Sequence, residues 1–146
     1  MLSSTSRYAI RALIYLVINY RENTKIGIKT IAKDLGIPSP FLGKILQTLT
    51  KKKILSSTKG PNGGFFASEK TRDTSLTEII QIIDGDDLFE NCLISNEPCN
   101  NAGNNKKCSL HNHYESIRKE IVKMFNEHTI GKLAEEYKNS DIKIRL

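Results

Sequence analysis

No apolar run in this chain approaches the length needed to span a bilayer; the longest, such as Ala12 to Val17, cover about a third of it. The opening Met-Leu-Ser-Ser-Thr-Ser-Arg-Tyr has no basic-then-apolar signal pattern, and Arg7 and Arg11 interrupt the first apolar stretch. A cytoplasmic protein without a membrane partner is therefore expected. Cysteine is scarce and odd in number, at three, which argues against a disulfide framework. Nucleophile–base pairs, paired carboxylates and a phosphate loop are all missing. The Gly63-Gly64 turn opens no helix, as a P-loop would require. An enzyme with a small-molecule substrate is not expected. Internal repeats and a second domain core are also missing, so the 146 residues read as one compact domain.

Acidic residues are scarce in one half only. Residues 1–70 hold 12 Lys/Arg against 3 Asp/Glu, whereas residues 71–146 hold 10 against 13. The net charge of +6 thus conceals a basic N-terminal half, whose field suits a polyanion.

Helical spacing covers residues 5–20, through Ala9, Leu13, Leu16, Val17 and Tyr20. A short second helix is expected over 28–35, closed by Gly36 where a helix end favours a left-handed residue. Pro38 forbids continuation. Ser39 can cap a third helix, with Pro40 at its first position, running to about Lys53 on an apolar face of Phe41, Leu42, Ile45, Leu46 and Leu49. A strand at 54–58, a turn at 59–64 and a return strand at 65–67 follow. Further helices are expected over 76–83, about 109–127 and about 130–138. The stripe of the long one is Tyr114, Ile117, Ile121, Met124 and His128.

Residues 28–49 read as two helices joined by a sharp turn, with small Ala32 at the closest approach and Ile31, Leu35, Ile37, Leu42 and Ile45 filling the wedge. That is a helix-turn-helix, which lays its second helix in the major groove. The following β-ribbon is a wing. Its tip, Lys59-Gly60-Pro61-Asn62-Gly63-Gly64, joins one cation to glycines that let backbone N–H groups approach a phosphate or a minor-groove edge. On the third helix, Ser39, Lys44 and Gln47 are the polar side chains able to reach double-stranded DNA, Ser39 at a base edge or phosphate and Lys44 at a phosphate. Lys29, Lys33 and Arg7 read as solvated charges. The candidate DNA-binding set is Ser39, Lys44, Gln47, Lys59, Gly60, Pro61, Asn62 and Gly63.

Residues 95–107 offer almost nothing to bury, and a structureless stretch of this length in a compact domain is usually functional or disordered. All three cysteines, Cys92, Cys99 and Cys108, fall within 17 positions around it, and His111 follows three positions after the last. Three thiolates and an imidazole complete a four-coordinate site for zinc or an iron–sulfur cluster. Gaps of six and eight residues are not the close pairs of a structural zinc knuckle. A metal or cluster centre, a metal-free thiol switch and no role at all remain open from the residues alone. His113 and His128 lack the same register and read as surface or dimer-face residues.

Four blocks, in order, carry a family resemblance. They are Ser6-Arg7-Tyr8-Ala9-Ile10-Arg11-Ala12-Leu13; Ile31-Ala32 through Ile37-Pro38 with Phe41-Leu42-Gly43-Lys44-Ile45-Leu46; the wing Lys59 to Phe65; and the three cysteines before a long helix. Over nearly its whole length the chain resembles the Rrf-two-type family of bacterial winged-helix transcription regulators, the IscR/NsrR/CymR-like group. The fold implied is mainly α, a winged helix-turn-helix with a small two-stranded β wing and a long C-terminal dimerisation helix. The chain then divides into a DNA-binding part (1–85), a cysteine-rich sensor loop (86–108), and a dimerisation helix with a C-terminal helix (109–146).

The resemblance further implies a homodimer on a palindromic operator, and an iron–sulfur cluster, 2Fe-2S favoured and 4Fe-4S possible, on Cys92, Cys99 and Cys108. The IscR-like branch adds a histidine three residues after the last cysteine, here His111. The NsrR-like branch uses an N-terminal aspartate, but this chain has no acidic residue before Glu22. The alternative is a cluster-free thiol- or metal-responsive regulator on the same fold. The chain departs from the family at the wing, where lysine stands for a frequent arginine and gives up bidentate recognition, and at Gly43, which offers no side chain for base readout.

Overall fold

A computed structural model describes residues 2–22, 24–94, 98 and 109–140. Helix α1 (Ser4–Ile18) starts because the Ser3 hydroxyl accepts the amide of Ser6, and Ser3 is itself held by Asp84, which accepts its hydroxyl at 2.5 Å and its amide at 3.2 Å. Ala9, Leu13, Leu16 and Val17 of α1 are buried, as their spacing predicts, together with Ser6, Ala12 and Ile14. Tyr20 lies past the helix end and is half exposed, so it is not core.

Helix α2 (Ile28–Leu35) ends on Gly36 at φ +63°, the left-handed cap expected of it. Helix α3 (Ser39–Lys51) is flanked by Pro38 as its cap, with Ser39 already the first helical residue, one position later than expected of a capping serine. Ile31, Ala32, Leu35, Ile37, Leu42 and Ile45 are buried, as the wedge between two helices requires. Two α1 side chains brace this turn. Arg11 donates from Nη2 to the carbonyl of Leu35 at 3.0 Å, and the Tyr15 hydroxyl donates to Asp34 at 2.5 Å.

Ile54 and Leu55 are buried at the exit of α3 and belong to the core rather than to a strand. The wing strands are β1 (Ser56–Thr58) and β2 (Gly64–Phe66), antiparallel, with Ser57 opposite Phe65. A third element joins them, because Ile26 and Phe65 exchange both backbone hydrogen bonds at 2.9 Å. This bridge crosses from the α1–α2 loop and ties the wing to the helix-turn-helix.

Two short helices escape the sequence periodicity, α4 (Glu69–Asp73) and α6 (Asp87–Glu90). Between them lies α5 (Leu76–Asp84), capped by Ser75 and closed at Gly85. In α4 the Ser68 and Thr71 side chains cap reciprocally, and the buried Thr71 hydroxyl also donates to the Ile54 carbonyl at 2.6 Å. Helix α7 (His111–Glu127) begins two residues later than expected and α8 (Ile130–Asn139) packs along α1. Between α7 and α8 the chain is stitched to the α4–α5 junction: Leu76 donates to His128 and Ile130 to Thr74, both at 3.0 Å.

Candidate nucleic-acid interface and cysteine segment

The helix-turn-helix and wing enclose a concave cleft of about 730 Å³. Gln47 and Lys51 reach it from α3, Lys29 from α2, and Lys59, Gly60, Pro61 and Gly63 from the wing tip. Of the predicted DNA-binding set, this cleft gathers Gln47 and four wing residues. Lys44 is exposed on the same helix, three residues before Gln47, while Asn62 is exposed on the wing tip and Ser39 is half-buried at the start of α3. Two lysines outside that set also line the cleft: Lys51, from the basic end of α3, and Lys29, which reads as a solvated charge in the sequence. A usable signal was present for Lys51, which stands at i+4 from Gln47 on the outward face. Nothing in the sequence pairs Lys29 with the wing, because the Ile26–Phe65 bridge that brings α2 beside it is non-local.

The wing tip is built on backbone geometry. Gly60 has φ +107°, and the Gly63 amide donates to the Gly60 carbonyl at 2.9 Å. A Cβ on Gly63 would stand 2.3 Å from the Thr58 carbonyl oxygen, and one on Gly64 2.7 Å from the backbone of Ile26. The hairpin is therefore closed to side chains at these two positions. Lys59 supplies its charge.

The spacing puts Phe41 on the apolar face of α3, but it is 57% exposed while Leu42, Ile45, Leu46 and Leu49 of the same helix are buried. The wheel explains this: Phe41 stands about 100° from Leu42, at the edge of the buried stripe.

Elsewhere the fold presents a different surface. Helix α7 buries only His111 and Phe125, while Ile117 and Met124, from the predicted stripe, are 57% and 45% exposed. Phe125, not Met124, faces the core. Ile121 is half-buried between them.

Of the cysteine set, Cys92 and His111 are described, whereas Cys99 and Cys108 lie outside the described residues. Cys92 is half-buried and His111 is buried at the first position of α7. Asn91 pairs with Pro98 in an antiparallel bridge, so the residues that precede Cys92 and Cys99 in the chain stand side by side. Arg118 donates from Nη1 to the Asn91 carbonyl at 3.1 Å, lies over the Tyr114 ring at 5.6 Å and is paired with Glu115. Its side chain is only 11% exposed. Arg118 stands seven residues after His111, two turns along the same face of α7. This arginine, which the sequence reading passed over, holds the start of the cysteine segment against the helix that carries His111.

Electrostatics single out one further group. Burial, and then the hydrogen bond and negative charge of Asp34, push the Tyr15 hydroxyl up to about 12 from 10.0. Among the described residues no helix is long and apolar enough to cross a membrane.

A helix-turn-helix, a bridged wing with a glycine-built tip and a lysine-lined cleft between them define a winged-helix DNA-binding transcription regulator. The chain belongs to the Rrf2 family of iron-dependent transcriptional regulators, whose sequence pattern matches residues 2–136. It is 33% identical over 131 residues to a protein of Aquifex aeolicus described as an HTH-type transcriptional regulator, covering 90% of this chain and 89% of that one. It is also 23% identical over 144 residues to the HTH-type transcriptional regulator IscR of Klebsiella pneumoniae, covering 97% and 83%. Among solved structures, CymR, the global cysteine regulator of B. subtilis, superposes with a TM-score of 0.76 at 18% identity, covering 93% of this chain and 97% of that one. T. potens IscR superposes at 0.73 and 17% identity, covering 98% and 92%. The mainly helical winged fold expected from the sequence is the fold these structures share.

Proposed function

We propose that the protein is a homodimeric regulator that holds a palindromic operator and changes its DNA affinity with the state of a metal cluster on its cysteine segment. The observation that carries the DNA half is the cleft that gathers Gln47, Lys29 and Lys51 with the wing tip. With α3 in the major groove, Gln47 faces base edges, where a side-chain amide pairs best with adenine. Lys44 and Lys51 flank it at phosphates. Lys59 and the tip backbone reach the neighbouring phosphate or minor-groove edge, and Ser39 sits at the α3 N-terminus, where a phosphate is favoured.

The exposed Ile117 and Met124 on a helix with few buried residues support pairing with α7 of a second copy. Two-fold pairing of that kind sets two recognition helices on one face of the duplex, which is why the operator would be palindromic.

Cys92, Cys99, Cys108 and His111 would hold an iron–sulfur cluster. The donor set fits, since three thiolates and a neutral imidazole match such a group. The fit is further supported by His111 being buried at a helix start, and by Arg118, which holds Asn91, the neighbour of Cys92, against α7. The bound group would supply a redox- and ligand-sensitive clamp. The protein's own part is to carry that clamp's effect along α7 to the bridge at Thr74–Leu76 and so to the DNA-binding half. A tenfold change in affinity needs only about 1.4 kcal/mol of coupling.

The test is anaerobic purification with iron and sulfide analysis, followed by operator binding with and without the cluster. Brown protein with stoichiometric iron and sulfide, and a DNA affinity that shifts on cluster loss, is the expected result. Colourless protein that holds zinc or no metal, yet binds DNA, would overturn the cluster and leave the thiol- or metal-responsive reading on the same fold.

A further inference from the structure

We infer that Phe41 is a base-reading residue that recognises a thymine methyl group in each half-site. The inference rests on the major-groove placement of α3 proposed above. Three observations carry it. Phe41 lies in the first turn of α3, the end of a recognition helix that contacts base edges. It is 57% exposed, although the four large apolar residues that follow it on the same helix are all buried. It stands three residues before Lys44, so a phenyl ring and an ammonium group share one flank of the outward face.

That pairing of groups suits a thymine on the major-groove floor beside a backbone phosphate. Thymine is the base that presents a methyl group there, and a Phe ring recognises it by apolar contact without any hydrogen bond. Gln47, on the wing side of the same face, would read a different base through its amide. The helix thus carries two readers of different chemistry, one apolar near its start and one polar a turn and a half further on. Phe41 is not among the buried core residues, so its substitution leaves the packed centre of the fold in place and separates recognition from folding.

The experiment begins with selection of binding sites from random duplex DNA by the full chain. The selected operator is then remade with deoxyuridine in place of each thymine in turn, which removes only the methyl group. The wild-type chain is expected to lose about fourfold in affinity per half-site at one position, the effect of unburying one methyl group. Phe41→Ala is expected to bind the thymine and deoxyuridine operators equally, while Phe41→Leu, still apolar, keeps part of the preference. Circular dichroism of all three proteins should be the same.

Retention of the full thymine preference by Phe41→Ala, or no deoxyuridine effect at any position in the wild type, overturns the assignment of Phe41 and leaves the major-groove reading intact. If no sequence is enriched at all, both readings fall together.

Discussion

The two halves of this molecule are stabilised differently. Residues up to Ala67, together with α5, supply nearly all of the buried apolar side chains. From residue 85 onward, only Phe125, Ile130 and Ala134 among the described residues join them. The N-terminal half has its own close-packed centre, formed by α1, α2 and α3, and α8 folds back to complete it. By contrast, α7 touches the rest of the chain mainly through α5, Arg118 and the bridge at its end. A surface that must present fixed side chains to DNA benefits from rigidity. A segment that is only lightly held can shift more readily, since regions that move are drawn from the low-stability end of a structure.

That contrast can be broken experimentally. The largest effect should come from Leu46→Ala, which empties a fully buried site on α3 and should cost about 2–5 kcal/mol. Chemical denaturation would read it, and a loss below about 1 kcal/mol would show that the N-terminal centre is not what holds the fold. Ile117→Asp should leave the folded chain intact but abolish self-association, because the side chain is exposed in the single chain. Light scattering on a sized sample checks this, and an unchanged dimer would move the interface off α7.

Smaller effects belong to single charges. Replacing Lys59 or Lys51 with Ala should weaken operator binding. Each such change should also lower the slope of log affinity against log salt by about 0.9 for every phosphate that the lysine neutralises. An unchanged slope would remove that lysine from the interface. The last effect varies with pH only in alkaline solution. The folded Tyr15 hydroxyl holds its proton to about pH 12, whereas the unfolded one releases it near 10.0. Unfolding therefore releases a proton in that window, and the contribution of Tyr15 is complete below about pH 10 and lost as pH rises through about 12. Tyr15→Phe, which removes the hydrogen bond to Asp34, should lower stability by about 1 kcal/mol near neutrality and flatten the fall across this interval, both read by denaturation at a series of pH values.

The same contrast decides what could be read from the sequence. The helix-turn-helix was legible because its punctuation is local: Gly36 needs the left-handed region, Pro38 stops a helix, and the wedge residues repeat at helical spacing. The wing was legible from its glycines, although Ile54 and Leu55 have the pattern of a strand while the core claims them. Helix α4 was missed because five residues give no periodicity and its capping partner is Thr71 rather than the usual Glu or Gln. The bridges between Ile26 and Phe65, and between the 74–76 and 128–130 segments, join residues far apart in sequence, and no local pattern announces them. Lys29 and Arg118 owe their places to such contacts, so they became visible only in three dimensions. Phe41 misleads for a subtler reason, since a hydrophobic residue at the margin of a stripe looks the same in sequence whether it turns inward or outward.

The glycine-built wing tip also sets a limit on how this protein could be re-aimed at other DNA. Gly63 and Gly64 have backbone atoms where a side chain would begin, and Gly60 sits at φ +107°. Diversity introduced at these three positions would be spent on chains that cannot close the hairpin. A library meant to alter wing recognition should therefore randomise Lys59, Pro61 and Asn62 alone, and leave the remaining search to the outward face of α3.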